Sequence, residues 1–214
     1  GLPKWKPSNY TDKFYGLSTM RTGIEKSRNL MTIRLSDKIG MKKILDTAKD
    51  FKIADYMDEN LSMSLGSGSV NLIDLTNAYA MIVNGGKDIK PTLILSVNDK
   101  NGKQIINNEI NKCINCLQNK KKLDYNLPTI TSLQKNILDP RLAFQITSML
   151  EGVVLRGTGK KISSLNTPLA GKTGTTNDNK DAWFIGFSPD LVVGVYVGYD
   201  NPKSLGYKQT GSSV

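Results

Sequence analysis

The sequence predicts a mixed α/β domain of the α+β kind, an antiparallel sheet flanked by helices. Three observations carry this reading. Apolar residues recur at helical spacing through much of the chain before residue 160. Three strand-like runs follow near the end, and the last two are joined only by Ser188-Pro189-Asp190, a connection that suits an antiparallel pair. The longest apolar run, Leu191 to Tyr199, is nine residues, far short of the roughly 20 that cross a bilayer as a helix. A chain of 214 residues suits one domain with a sizeable core.

The elements follow in order. Residues 1–16 read as irregular, punctuated by Pro3 and Pro7, with Trp5, Tyr10, Phe14 and Tyr15 expected to pack on a neighbour. A helix starts near Thr19 and runs to about Lys26, with Thr22 and Glu25 spaced as a capping box. A second carries Leu30, Ile33, Leu35 and Ile39 and stops at Gly40, which leaves Ser27-Arg28-Asn29 at a helix–helix junction. A third spans roughly Met41 to Phe51. Leu61 to Leu65 leads into the tight turn Gly66-Ser67-Gly68-Ser69. Asn71 then caps a helix bearing Leu72, Leu75, Tyr79 and Ile82, closed by Asn84-Gly85-Gly86.

Thr92 to Val97 reads as a strand, Asp99 to Gly102 as a turn, and Lys103 to Ile106 as the returning strand. Residues 107–131 form a long polar connection. It divides a helical part, 1–106, from a helix-and-sheet part, 132–214. Asp139-Pro140 opens a helix that would turn Leu142, Phe144, Ile146, Met149, Leu150 and Val153 to the core and end at Arg156-Gly157-Thr158-Gly159. Strands at Ala170–Thr175, Ala182–Phe187 and Leu191–Tyr199 complete the domain.

Composition narrows the chemistry. The formal charge is +10, but the cations are mostly scattered lysines with a single dense run, Lys120-Lys121-Lys122, in the polar connection. No basic stripe with interleaved aromatics and no nucleic-acid-binding signature accompanies them, so a solvated surface and no nucleic-acid partner are expected. The chain contains no histidine. That removes Ser-His-Asp and Cys-His catalysis and histidine zinc sites together, so any acyl-transfer base must be a lysine or a carboxylate. Cys113 and Cys116 form the lone Cys-x-x-Cys. Its polar flanks suit a local disulfide or plain thiols better than a redox or metal site; neither metal nor cofactor is expected. The first residue is Gly1, which suggests a piece of a longer protein, and the opening residues lack the apolar core of a signal peptide.

The chemically suggestive residues occur in a fixed order. Met20-Arg21 leads to Ser27-Arg28-Asn29-Leu30, then Leu65-Gly66-Ser67-Gly68, Ala78-Tyr79 and Asn84-Gly85-Gly86. Gly157-Thr158-Gly159, Ala170 to Asn177 with its Lys172-Thr173-Gly174, and Asp181-Ala182-Trp183-Phe184-Ile185-Gly186-Phe187 follow. Taken together they resemble the transpeptidase domain of class A penicillin-binding proteins, the bifunctional 1A type especially, over nearly the whole chain. Lys-Thr-Gly and a Ser-x-Asn element belong to the motif set of such acyl-serine enzymes. The Cys pair is compatible with the loop of some members.

The resemblance implies a penicillin-binding transpeptidase or serine β-lactamase-like fold and a function in cross-linking peptidoglycan stem peptides. Lys172 would supply positive field for the substrate carboxylate, with the Thr173 and Thr175 hydroxyls able to bond it. Gly174 would let substrate lie along the strand edge, and the Thr175 N–H would serve an oxyanion hole. Ser27 would relay a proton, and Asn29 would bond substrate or orient the catalytic lysine. Expected partners are stem peptides, β-lactam antibiotics and other cell-wall synthesis proteins. A glycosyltransferase domain and membrane anchor would lie upstream, placing this domain on the periplasmic face of the cytoplasmic membrane.

The acylated serine should belong to a Ser-x-x-Lys preceding Ser27. The sole match, Ser132-Leu133-Gln134-Lys135, follows it and is rejected. The nucleophile and the family's final helix are therefore expected outside the chain, which alone should be inactive. A D,D-carboxypeptidase or β-lactamase-type hydrolase and a non-catalytic wall-binding scaffold of the same fold are the alternatives.

Overall fold

The computed structural model describes residues 5–109, 111–114, 129–206 and 209–213. Five α-helices are described: α1 (Met20–Glu25), α2 (Asn29–Ile39), α3 (Met41–Asp50), α4 (Leu72–Val83) and α5 (Pro140–Arg156). The main sheet is antiparallel, ordered β5 (Ala170–Thr175), β6 (Asp181–Phe187), β7 (Val192–Gly198). Two small antiparallel pairs stand apart from it, β1 (Ser96–Asn98) with β2 (Gln104–Asn107) and β3 (Asn111–Ile114) with β4 (Thr129–Ser132). Helices packed on an antiparallel sheet are the architecture expected from the sequence. Among the described residues no helix is long and apolar enough to cross a membrane.

Helix α5 packs along β5, α4 along β7, and the short α1 against α5. One apolar cluster joins these layers: Leu150 and Val153 of α5, Ala170 of β5 and Phe187 of β6, with Ile24 and Tyr79 against them. A second holds Phe51, Ala78 and Met81, flanked by Ile53, Ile82 and Ile137. Burying one such side chain contributes about 1.5–3 kcal/mol. These clusters fix β5 between the α5 face and β6, leaving its other edge unpaired among the described residues.

Several local expectations are corrected. On α5 the buried positions are Ala143, Leu150, Gly152, Val153 and Val154, while Leu142 and Phe144 face solvent. The strand expected from Thr92 shortens to β1, because Leu93, Ile94 and Leu95 are exposed and lie on no neighbouring strand. The polar connection is partly ordered as β3 and β4; the cysteine pairing lies outside the described residues. Trp5, Tyr10 and Phe14 are largely exposed, whereas Tyr15 stacks under the Arg28 guanidinium, 3.1 Å from its ring centre. Thr19, not Thr22, caps α1, accepting the Thr22 N–H at 3.2 Å. A 3-10 helix at Lys160–Leu165 was not anticipated.

Candidate active site

Two segments far apart in sequence meet at Ser27. The α1 helix ends in a Schellman turn: the Ser27 N–H donates to the Ile24 carbonyl at 3.1 Å and the Arg28 N–H to Gly23 at 2.8 Å. That geometry puts Ser27 in the left-handed region, at φ 50°, a position glycine usually takes because a side chain there costs about 1–2 kcal/mol. Backbone strain held by surrounding structure is a recurrent mark of functional sites.

The Ser27 hydroxyl accepts a hydrogen bond from Lys172 Nζ at 2.9 Å across 145 positions of sequence. Lys172 stands in the middle of β5, opposite Ile185 of β6, and its ammonium also donates to the Thr173 carbonyl at 2.8 Å. The residue keeps intermediate exposure overall, but burial of its ammonium end pulls the pKa from 10.5 to about 8. Among the described residues no carboxylate forms an ion pair with it. Lys172 is thus a cation at neutral pH that sheds its proton more readily than a surface lysine.

The next residues of β5 are also engaged. The Thr173 hydroxyl lies 2.7 Å from that of Thr158, just past the C-terminus of α5. The Thr175 hydroxyl accepts the Gly211 N–H at 3.1 Å. Gly174 pairs with Trp183, against whose Cβ a methyl there would press at 3.2 Å. On the far side of β6, the Trp183 and Tyr196 rings pack 4.8 Å apart. The resulting surface offers an ammonium, two hydroxyls and a free strand edge, which together suit a peptide ending in a carboxylate.

Asn29 is placed differently. Its amide donates to the Ser8 carbonyl at 3.2 Å instead of reaching the lysine. As the first residue of α2 it lies at a helix start whose own N-cap, Arg28, provides no side-chain bond. Asn9 supplies it from upstream: its Oδ1 accepts the Leu30 N–H at 3.2 Å. The structure therefore joins Ser27, Lys172, Thr173 and Thr175 around β5 and turns Arg28 and Asn29 toward the N-terminal segment. Ser132 closes β4, exposed and off any helix, and bonds within its own turn at Gln134, so it forms no serine–lysine pair.

Two residues at the site take contacts that the sequence does not assign to them. Glu25, expected in a capping box, is 5% exposed and accepts from the Arg156 guanidinium, with Nε at 2.9 Å and Nη2 at 2.5 Å. Thr158 bonds Thr173. A carboxylate two residues before the Ser-x-Asn was the available signal for the first. Only the fold could supply the second.

The sequence profile of the penicillin binding protein transpeptidase domain matches residues 2–214. The chain is 48% identical to "Penicillin-binding protein 1A" of Rickettsia bellii over 217 residues, covering all of this chain and 27% of that protein. It is 37% identical to the protein of the same name from Aquifex aeolicus, covering 98% of this chain and 26% of that one. The crystal structure of penicillin-binding protein 1A from Haemophilus influenzae superposes with a TM-score of 0.81 at 28% identity, over 99% of this chain and 34% of that one. The chain thus spans about a quarter of the length of the curated relatives it matches. With profile, relatives and fold in agreement, the chain belongs to the family of penicillin-binding protein transpeptidase domains.

Proposed function

We propose that this chain is the substrate-gripping part of a peptidoglycan D,D-transpeptidase that works within a longer, bifunctional cell-wall synthase. The observation that carries the reading is the bond from Lys172 Nζ to Ser27 Oγ, 2.9 Å long and formed between motifs 145 residues apart. In the full-length protein a serine N-terminal to this chain attacks the carbonyl of the penultimate D-Ala. Its proton passes through Ser27 and the site lysines to the departing D-Ala amine, leaving an acyl-serine. A neighbouring stem-peptide amine then attacks that ester, loses a proton to the same relay and releases the serine.

Lys172 holds the terminal carboxylate beside the scissile bond, with the Thr173 and Thr175 hydroxyls as further donors, while Gly174 keeps the β5 edge open to an incoming strand. The Thr175 backbone N–H serves the oxyanion hole, where losing one donor typically costs about 3 kcal/mol. Asn29, anchored to Ser8, acts on the substrate only if that bond opens. A β-lactam carries the same carboxylate beside an acyl group and enters by the same grip. The protein acts on the periplasmic side of the cytoplasmic membrane, anchored through residues upstream of this chain and beside a glycosyltransferase domain.

Glu25 is committed to Arg156, and a carboxylate so held is not a free general base. Fluorescent penicillin tests the reading directly. The full-length protein should be labelled covalently, the Lys172→Ala variant much more weakly, and the isolated 214-residue chain not at all. Labelling of the isolated chain would overturn the external nucleophile, and an unlabelled full-length protein would favour the scaffold.

A further inference from the structure

Both halves of the site hang from one ion pair. Glu25 stands two residues before Ser27, and Arg156 stands two residues before Thr158. The carboxylate is buried, at 6% side-chain exposure, while Arg156 reaches in from solvent at 53%. Arg21 approaches the same oxygen at 3.7 Å. The Glu25 charge therefore depends on the guanidinium fork for its stability inside the protein.

The backbone repeats this connection. The Glu25 carbonyl accepts the Thr158 N–H at 3.1 Å, and the Lys26 ammonium donates to the Arg156 carbonyl. A Cβ at Gly152 would fall 2.1 Å from Glu25 Oε1, and one at Gly157 would fall 2.3 Å from the Glu25 carbonyl oxygen. The α5 surface is thus shaped to admit Glu25. On the other side, α1 has six residues, too few to persist by its own hydrogen bonds. Its C-terminal turn, which carries Ser27, must be held from outside.

We propose that the Glu25–Arg156 pair is a positioning element that sets the Ser27 hydroxyl against Lys172 and the Thr158 hydroxyl against Thr173 in one registration. It touches no substrate and acts through these two hydroxyls. The proposal rests on the transpeptidase reading above, because only there do both hydroxyls serve a reaction. Loosening the pair lets the end of α1 move relative to β5, and a misplacement of about 1 Å at a reacting centre can lower a rate by about 100-fold.

The test uses the full-length protein and measures, for benzylpenicillin, the acylation rate constant at saturation, the non-covalent affinity and the melting temperature. Glu25→Gln keeps the size and removes the charge, and Arg156→Lys keeps the charge and removes the fork. Met81→Ala, a truncation in the second core cluster, reports loss of stability alone. Both variants at the pair should lower the acylation rate constant by tenfold or more in the folded protein, Arg156→Lys less than Arg156→Ala. Met81→Ala should lower the melting temperature and leave that rate within twofold. Rates within twofold of the parent for both pair variants would overturn the proposal, as would an equal loss in Met81→Ala. If Glu25→Gln does not fold, Arg156→Lys decides by the same limits. An unmodified protein that penicillin does not acylate would count against the transpeptidase reading instead.

Discussion

Ser27 pays for its position with backbone strain, and a pair of substitutions measures that strain separately from the hydroxyl. Ser27→Ala and Ser27→Gly both delete the oxygen that accepts from Lys172 at 2.9 Å, so this loss cancels between them. At φ 50° alanine retains the left-handed cost of about 1–2 kcal/mol, and glycine escapes it. Glycine in turn has more freedom in the unfolded chain, which takes back about 0.4–1 kcal/mol. The glycine variant should therefore be the more stable of the two by about 0.5–1 kcal/mol. For a domain of this size that corresponds to a melting-temperature gap of about 1–4 °C. Urea titration followed by tryptophan fluorescence, with thermal melts in parallel, gives the difference. In the full-length protein neither variant should be acylated at the normal rate, so stability and activity would separate at a single residue. An alanine variant equal to or more stable than the glycine variant would refute the assignment of strain to Ser27.

Two further outcomes follow from the geometry. Because Lys172 has a pKa of about 8, it is cationic below that pH and neutral above it. A ligand carboxylate gripped by this charge should bind about tenfold more weakly at pH 9 than at pH 7, read as the non-covalent penicillin affinity, and Lys172→Ala should flatten the dependence. Thr158→Val keeps the side-chain volume but deletes the 2.7 Å bond to Thr173. It should cost about 1 kcal/mol of stability and weaken penicillin affinity severalfold; unchanged affinity in a melted-and-matched comparison would show that Thr173 needs no such support.

Much of this arrangement was legible in one dimension. Periodicity located the five α-helices of the described residues, Asp139-Pro140 marked the start of α5, and Ser188-Pro189-Asp190 required an antiparallel β6–β7 pair. Where local pattern failed, a specific tertiary partner had intervened. Leu142 and Phe144 match an apolar helical face but stay exposed, while Leu150 and Val153 pack with Ala170 of β5, because the packing of α5 on β5 decides which arc of the helix is covered. The apolar run from Leu93 has a strand's composition and no neighbouring strand along those residues, so only Ser96 to Asn98 pairs. Glu25 matches a capping box by spacing, yet Thr19 takes the cap and frees the carboxylate for Arg156.

One-dimensional information settles the kinds of chemical group and their order: a lysine, hydroxyls and glycines in strand and turn positions, with histidine excluded. Motif order alone carried the family resemblance. It did not determine which groups touch. Residue 27 meets 172, and 158 meets 173, because α1 and β5 both pack on α5, a long-range contact set by buried area and by an ion pair with one buried partner, neither of which leaves a period in the sequence. The tertiary structure also decided that Asn29 turns to Ser8 while Ser27 turns to Lys172. The Schellman turn between them reverses the chain over two residues, and its left-handed geometry sends adjacent side chains in different directions.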